Sequence, residues 1–374
     1  MIYFDNASTG GFKIRAVIDS AQTVCKYLCA NPTRSGHRLA LTGAKIVYNC
    51  RESLSNFFGS TIERTIFTKN CTEALNLAIF GSLKKGGHVI TTVYEHNSVL
   101  RPLFALKNKG LIELDVVCPQ QDFSLCQEIE RKIKSNTYLI VATAVSNVTG
   151  FSLPISQIGQ IAKKHNLLFL VDGAQGGGHI PLNLKNDNIH LLALAGHKGL
   201  YGIMGSGALL FDESIELEPL IYGGTGTESL NLNQPDCYPE RLEAGTLNLP
   251  AISALNEGVR YISQHVNNFG KNLFSFSQNL IDNLKTIKSV KCFSQPNPSG
   301  ICAFLIEGKD SSDVADILNS KFDIAVRAGL HCAPLMHKHL QTEKCGLIRA
   351  SLAVQNNTHE INYFLNAISQ IAKS

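Results

Sequence analysis

Along the middle of the chain, short apolar runs recur at 65–68, 88–93, 112–117, 138–142, 167–171, 190–194 and 207–211. Val, Ile and Leu fall on both faces of these runs, as in strands buried between helices. Stretches of helical spacing lie between them. In 72–83, Ala74, Leu75, Ala78, Ile79 and Leu83 form one apolar stripe, and 156–165 follows a turn at Pro154. This alternation predicts an α/β fold: one mostly parallel seven-stranded sheet with helices on both faces. After Gly258 the texture changes. A long helical stretch over 251–284 precedes short strands at 290–293 and 300–306, a helix near 312–319, a strand at 324–327 and a helix from His359. We therefore expect a large α/β domain over 15–260 and a smaller α+β domain over 261–374, with segment 1–14 a candidate to pack on the latter.

Composition adds exclusions. The 374 residues are 44% hydrophobic and 17% charged, the balance of an ordinary globular protein, and long enough for a large core. Lys and Arg total 34 against 30 Asp and Glu, a net charge of +4 with no basic run, so no nucleic-acid partner is expected. Met1-Ile2-Tyr3-Phe4-Asp5 lacks the basic and apolar regions of a signal peptide, and no apolar stretch is long enough to span a bilayer, so no membrane association is expected. Eleven scattered cysteines without a CxxC pair fit reduced thiols in the cytoplasm and no metal site.

Three strand ends carry candidate chemistry. The run 191–199 brings a buried strand to Gly196-His197-Lys198-Gly199. Taken alone, such a lysine is more often a solvated loop residue; in a crevice at a strand end it is a desolvated amine nucleophile. Strand 167–171 ends in Asp172, followed by Gly173-Ala174-Gln175. An acid there is either a helix N-cap or a partner for a protonated ring nitrogen, which pyridoxal phosphate requires when it acts as an electron sink. Thr72, in Asn70-Cys71-Thr72-Glu73, opens a helix whose free amides could cradle a phosphate, although a capping Thr is commonplace.

These motifs appear in order with Glu95-His96-Asn97-Ser98, Val145-Ser146-Asn147-Val148-Thr149-Gly150, Glu243-Ala244-Gly245-Thr246, 327–333 and Arg349-Ala350-Ser351-Leu352. In this the chain resembles the cysteine desulfurase and selenocysteine lyase group of class V aminotransferase-fold enzymes, from about Asp5 to the last helix. The resemblance implies a pyridoxal-phosphate-dependent transferase of fold type I working as a homodimer. It implies that Lys198 holds the cofactor as a Schiff base and moves the proton at Cα. His96 would stack on the ring, Asp172 would hold its nitrogen, and Gln175 and Asn147 would reach the ring hydroxyl, Asn147 also the substrate carboxylate region. Thr72 and His197 would bind phosphate, with Thr246 entering from the second subunit. Ala195 and Cys71 stand where relatives commonly carry hydroxyls. A lost charge-assisted hydrogen bond costs about 1.5–3 kcal/mol, so weaker cofactor retention is expected.

Arg349 matches the substrate-carboxylate clamp of this group, which makes the substrate an α-amino acid. Cys332 then separates the reactions. In Arg327-Ala328-Gly329-Leu330-His331-Cys332-Ala333-Pro334 the thiol lies beside His331, and a cationic His or Arg would favour its thiolate. The resemblance implies attack of Cys332 on the sulfur of L-cysteine, leaving L-alanine and a persulfide for a sulfur-acceptor protein. The His-Cys-Ala context and the 17-residue step to Arg349 resemble the second group of desulfurases, in which L-selenocysteine is an alternative substrate. The sequence stops soon after its last helix, so the scaffold-binding tail of the first group is not expected. Arg34 and His37 match a loop at the active-site mouth, with substrate contact and a plain loop role equally open. A class V aminotransferase with Cys332 incidental, or a low-activity sulfur-carrier subunit, are the alternatives.

Overall fold

A computed structural model of the chain describes residues 1–28, 30–32, 36–120 and 124–373. The N-terminal part holds β1 (Ile2–Tyr3), α1 (Arg15–Tyr27), α2 (Arg38–Phe58), β2 (Thr65–Thr68), α3 (Cys71–Gly81), β3 (Gly87–Thr92) and α4 (Asn97–Asn108). Then come β4 (Ile112–Val117), α5 (Leu125–Arg131), β5 (Thr137–Thr143), α6 (Ile155–Lys164), β6 (Leu168–Asp172), β7 (Leu191–Ala195) and β8 (Gly207–Phe211). A 37-residue helix, α7 (Leu249–Lys285), leads into β9 (Val290–Cys292), β10 (Ile301–Ile306) and α8 (Ser311–Phe322). The chain closes with β11 (Ile324–Ala325), β12 (Arg327–Gly329), α9 (Pro334–Leu340), β13 (Leu347–Ser351) and α10 (Thr358–Lys373).

Seven strands form the main sheet in the order β2-β8-β7-β6-β5-β3-β4. Its four links from β7 to β4 are parallel; β8 runs antiparallel to both β7 and β2. The inner strands β3, β5, β7 and β8 are buried at every residue, which is why their sequences are apolar without alternation. One core layer packs Leu54, Ile140, Phe169 and Leu192 on one face; another packs Leu75, Val89, Leu139 and Leu209 on the other. Burial of a Leu or Phe side chain contributes roughly 1.5–3 kcal/mol, so these layers dominate the stability of the scaffold. Gly207 lets β8 lie close to the start of α3: a Cβ there would come within 2.6 Å of the Asn70 carbonyl carbon.

The second sheet, β12-β13-β10-β9, is antiparallel and packs with α8, α10 and the latter half of α7 around Phe304 and Phe364. Helix α7 is shared: Leu255, Val259 and Ile262 join the first core, Leu273, Leu280 and Leu284 the second. It therefore passes through residue 260. The single strand expected at 324–327 is two strands in two sheets, because β11 pairs with β1 in parallel while β12 pairs with β13. Phe4, fully buried beside Phe364, ties the N-terminal segment to this second core. Among the described residues no helix is long and apolar enough to cross a membrane.

Candidate active site

The C-terminal ends of the parallel strands converge on one pocket, the usual place for ligands in an open α/β sheet. Its walls include Cys71, Thr72, His96, Ser98, Asn147, Asp172, Gln175, Ala195, His197 and Lys198. Lys198 follows β7, and Asp172 ends the neighbouring β6. Desolvation pushes the Lys198 ammonium pKa down, with the field of Asp172 opposing it. The Asp172 carboxylate is buried, and its Oδ1 accepts from the Ala174 backbone N–H at 2.9 Å and from the Cys71 thiol at 3.4 Å. Burial and the Asp172 charge raise the Cys71 pKa well above the ordinary thiol value, so Cys71 remains a donor to that carboxylate.

The opposite wall is built on helix starts. His96 caps α4, its Nδ1 accepting from the Ser98 backbone N–H at 3.0 Å, which leaves the ring proton on Nε2. Desolvation brings its pKa down to about 4, so the ring is neutral. Ser98 Oγ lies 2.7 Å from His96 Nδ1 and 2.9 Å from Thr72 Oγ1, tying the starts of α3 and α4 together. Asn70 caps α3, with Oδ1 accepting from the Glu73 N–H. His197 is held by Thr9 Oγ1, 3.0 Å from its Nδ1, and burial lowers its pKa to about 4.

Two buried oxygens facing this pocket, Asn147 Oδ1 and Gln175 Oε1, lack a partner among the described residues although both amides donate: Asn147 to the His331 carbonyl at 2.7 Å, Gln175 to the Ala7 carbonyl at 2.8 Å. Unpartnered amides, a desolvated amine, a buried carboxylate, a neutral imidazole and a hydroxyl at a helix N-terminus together form a donor set that suits pyridoxal phosphate.

Arg349, on β13 and 1% exposed, reaches this region from the second sheet. Its Nη1 donates to the Asn147 carbonyl at 2.9 Å and its Nη2 to Asp5 Oδ1 at 3.1 Å and Ser8 Oγ at 2.9 Å. Desolvation lowers its pKa to about 10, with Asp5 opposing. Cys332 is exposed on a turn where it and His331 both take left-handed φ values, 56° and 50°. The Cys332 carbonyl accepts from the Asn97 N–H at 2.7 Å, and Arg327 Nη2 lies 3.6 Å from its sulfur. The cationic neighbour of the thiol is therefore Arg327. Burial and the Arg349 charge bring the His331 pKa down to about 2, so His331 is neutral and not the cation its position suggested.

Most residues singled out from the sequence thus share one site, but two described ones do not. His37 is the exposed N-cap of α2, its Nδ1 accepting from Ala40 N–H. Thr246 is exposed in a separate groove with Phe67, Leu77 and Leu242. Arg34 lies outside the described residues. Cys71, at a position where relatives commonly carry a hydroxyl, contacts Asp172 instead. Asp5, Ser8 and Ser98 were not anticipated as site residues. Nothing near Asp5 or Ser8 signals a site, because their partners lie over 300 residues away in sequence.

Comparison with known proteins agrees with this geometry. The model of the aminotransferase class-V family matches residues 2–364. A protein named probable cysteine desulfurase from Methanothermobacter thermautotrophicus is 31% identical, over 99% of this chain and 94% of its own. Another of that name from Pyrococcus abyssi is 30% identical, over 100% and 95%. The apo structure of a cysteine desulfurase from Thermococcus onnurineus superposes with a TM-score of 0.91 at 32% identity, covering 100% of this chain and 94% of that one.

Proposed function

The chain belongs to the aminotransferase class-V family, and from that premise we propose that it is a pyridoxal-phosphate-dependent cysteine desulfurase, converting L-cysteine to L-alanine and a persulfide on Cys332. The observation that carries this reading is the joining of two sites through short contacts. The pocket of Lys198 and Asp172 is linked to the exposed Cys332 turn by the Asn147-to-His331 and Asn97-to-Cys332 hydrogen bonds.

Bound at Lys198, pyridoxal phosphate supplies an electron sink for charge developing at the substrate Cα. The protein's own groups do the rest. Asp172 would face the ring nitrogen and keep it protonated. His96 would lie against the ring face as a neutral imidazole, Gln175 and Asn147 would meet the ring hydroxyl, and Thr72 and His197 would hold the phosphate at the start of α3. Lys198, its amine favoured in the neutral form by burial, takes and returns the Cα proton. Arg349 receives the substrate carboxylate. The Cys332 sulfur, beside Arg327, attacks the substrate sulfur; the Cβ–S bond breaks, its electron pair stays with the carbon fragment, and that fragment gains a proton to become alanine. The persulfide remains on an exposed turn, open to a sulfur-acceptor protein.

The same reading divides the chain into lobes over 15–260 and 261–374, with α7 as their shared rod. Its working unit is a cytoplasmic homodimer. Leu220, Ile221, Leu230 and Leu232, exposed over 220–232, supply an apolar surface for the second subunit, which would bring Thr246 to its neighbour's pocket. The test is incubation with L-cysteine. Wild type yields alanine and a mass-detectable persulfide on Cys332, and Cys332→Ser loses the persulfide and about 100-fold or more of alanine production. Full-rate alanine release from Cys332→Ser, or pyruvate in its place, sinks the desulfurase reading in favour of an aminotransferase or another lyase.

A further inference from the structure

A guanidinium has five N–H donors, and a carboxylate grips it bidentately along one of two edges, Nε with Nη2 or Nη1 with Nη2. Both edges include Nη2. In Arg349 that shared nitrogen, Nη2, donates to both Asp5 Oδ1 and Ser8 Oγ, which are themselves hydrogen-bonded to each other. One Nη1 hydrogen goes to the Asn147 carbonyl, and Nε is buried with no acceptor. An incoming carboxylate therefore meets Asp5 and Ser8 on the one nitrogen that both edges need.

The three partners differ in how readily they leave. The Asn147 carbonyl is backbone. Ser8 is fixed from three sides: its hydroxyl donates to Asp5 Oδ1 at 2.7 Å and accepts from Arg349 Nη2 and from Arg327 Nη1 at 3.1 Å. Asp5 is the member that reaches solvent, with a side chain 23% exposed against 1% for Arg349, so its carboxylate can rehydrate where the guanidinium cannot. A guanidinium this deeply buried also needs a counter-charge whenever no substrate is present.

We propose that Asp5 is a placeholder for the substrate carboxylate: it balances Arg349 in the free enzyme and exchanges with the substrate on Nη2, so that Asp5 sets the affinity of the site for amino acids. This rests on the carboxylate-clamp reading of Arg349. Replacing Asp5 with Asn keeps the shape and an oxygen acceptor but removes the competing charge. Carboxylate ligands then bind more tightly, whereas a purely structural role for Asp5 gives weaker binding.

The test is calorimetric titration of the cofactor-loaded protein with L-alanine, which carries the carboxylate without the reacting sulfur. For Asp5→Asn we expect a Kd lower by about fivefold, the difference between competing with a charged and a neutral acceptor. Ser8→Ala, which loosens Asp5 without touching charge, shifts Kd the same way by about twofold. Cysteamine, which lacks the carboxylate, binds wild type and Asp5→Asn alike. An unchanged or higher alanine Kd in folded Asp5→Asn overturns the proposal. Should that variant not fold, the sign of the Ser8→Ala shift decides in its place. Arg349→Lys locates a failure: if it weakens alanine binding while Asp5→Asn does not tighten it, the placeholder idea alone is wrong. If neither changes Kd, the clamp is wrong and the placeholder falls with it.

Discussion

Glu95 offers a direct test of the electrostatics beneath the site. Its side chain is fully buried between β3 and β5, where Oε1 accepts from Thr92 Oγ1 at 2.6 Å and from the Thr143 N–H at 3.0 Å. Its Oε2 has no partner. Desolvation raises its pKa from 4.5 to about 8, against the pull of those two hydrogen bonds. The folded protein thus holds a proton that the unfolded chain has released, and stability falls as pH rises. The contribution is complete below about 4.5, declines by about 1.4 kcal/mol per pH unit, and is lost above about 8. Between pH 6 and 8 the expected loss is about 2 kcal/mol. Glu95→Gln keeps the Oε1 acceptor and removes the titration. Urea unfolding of the cofactor-free protein at pH 6, 7 and 8 should show stability in wild type falling relative to Glu95→Gln by that amount. Parallel pH dependences in the two proteins would refute a neutral, desolvated Glu95.

Three further outcomes follow from the site. In Asp172→Asn the Ala174 N–H keeps an acceptor, but the charge that opposes desolvation of Lys198 is gone. The Lys198 pKa in the cofactor-free protein should drop further, measured by the pH dependence of its acylation rate, and turnover should fall by about 100-fold. Arg327→Ala removes the cation beside the Cys332 sulfur, so alkylation of that thiol by iodoacetamide at pH 7 should slow several-fold while the visible cofactor band is unchanged. Lys198→Ala should give a protein in which borohydride fixes no cofactor, read by mass spectrometry of the intact chain.

The seven strands of the main sheet were legible because each is an apolar run bounded by turns, and the observed bounds lie within about two residues of the sequence reading. The same logic hid β13: Leu347–Ser351 carries Arg349 at its centre, which breaks the apolar run although the strand is buried at every residue. It also merged β11 with β12, since the pattern of 324–327 carries no mark of the change of partner from β1 to β13. Lys198, Asp172, His96 and Cys332 were readable as short motifs at strand and helix ends. The neutrality of His331 was not, because it depends on burial and on the charge of a residue 18 positions away.

Asp5 and Arg349 show why such a site escapes local reading yet follows from the topology. The Asp5–Ser351 bridge and the Arg327–Arg349 register place the first and last strand segments side by side at the mouth of the main sheet. Lys198, Asp172 and the helix starts lie at the main sheet, Arg349, Arg327 and Cys332 on the second sheet and the turn after β12, and the N-terminal turn lies between them. Exchange of Asp5 for a substrate carboxylate on Arg349 alters a contact in that same network, and the Ser8 hydroxyl passes the change to Arg327. The Ser8 hydroxyl thus joins the Asn147-to-His331 hydrogen bond in linking Arg349 to the Cys332 turn, and the rate of Cys332 alkylation should respond to saturating L-alanine more strongly in wild type than in Ser8→Ala.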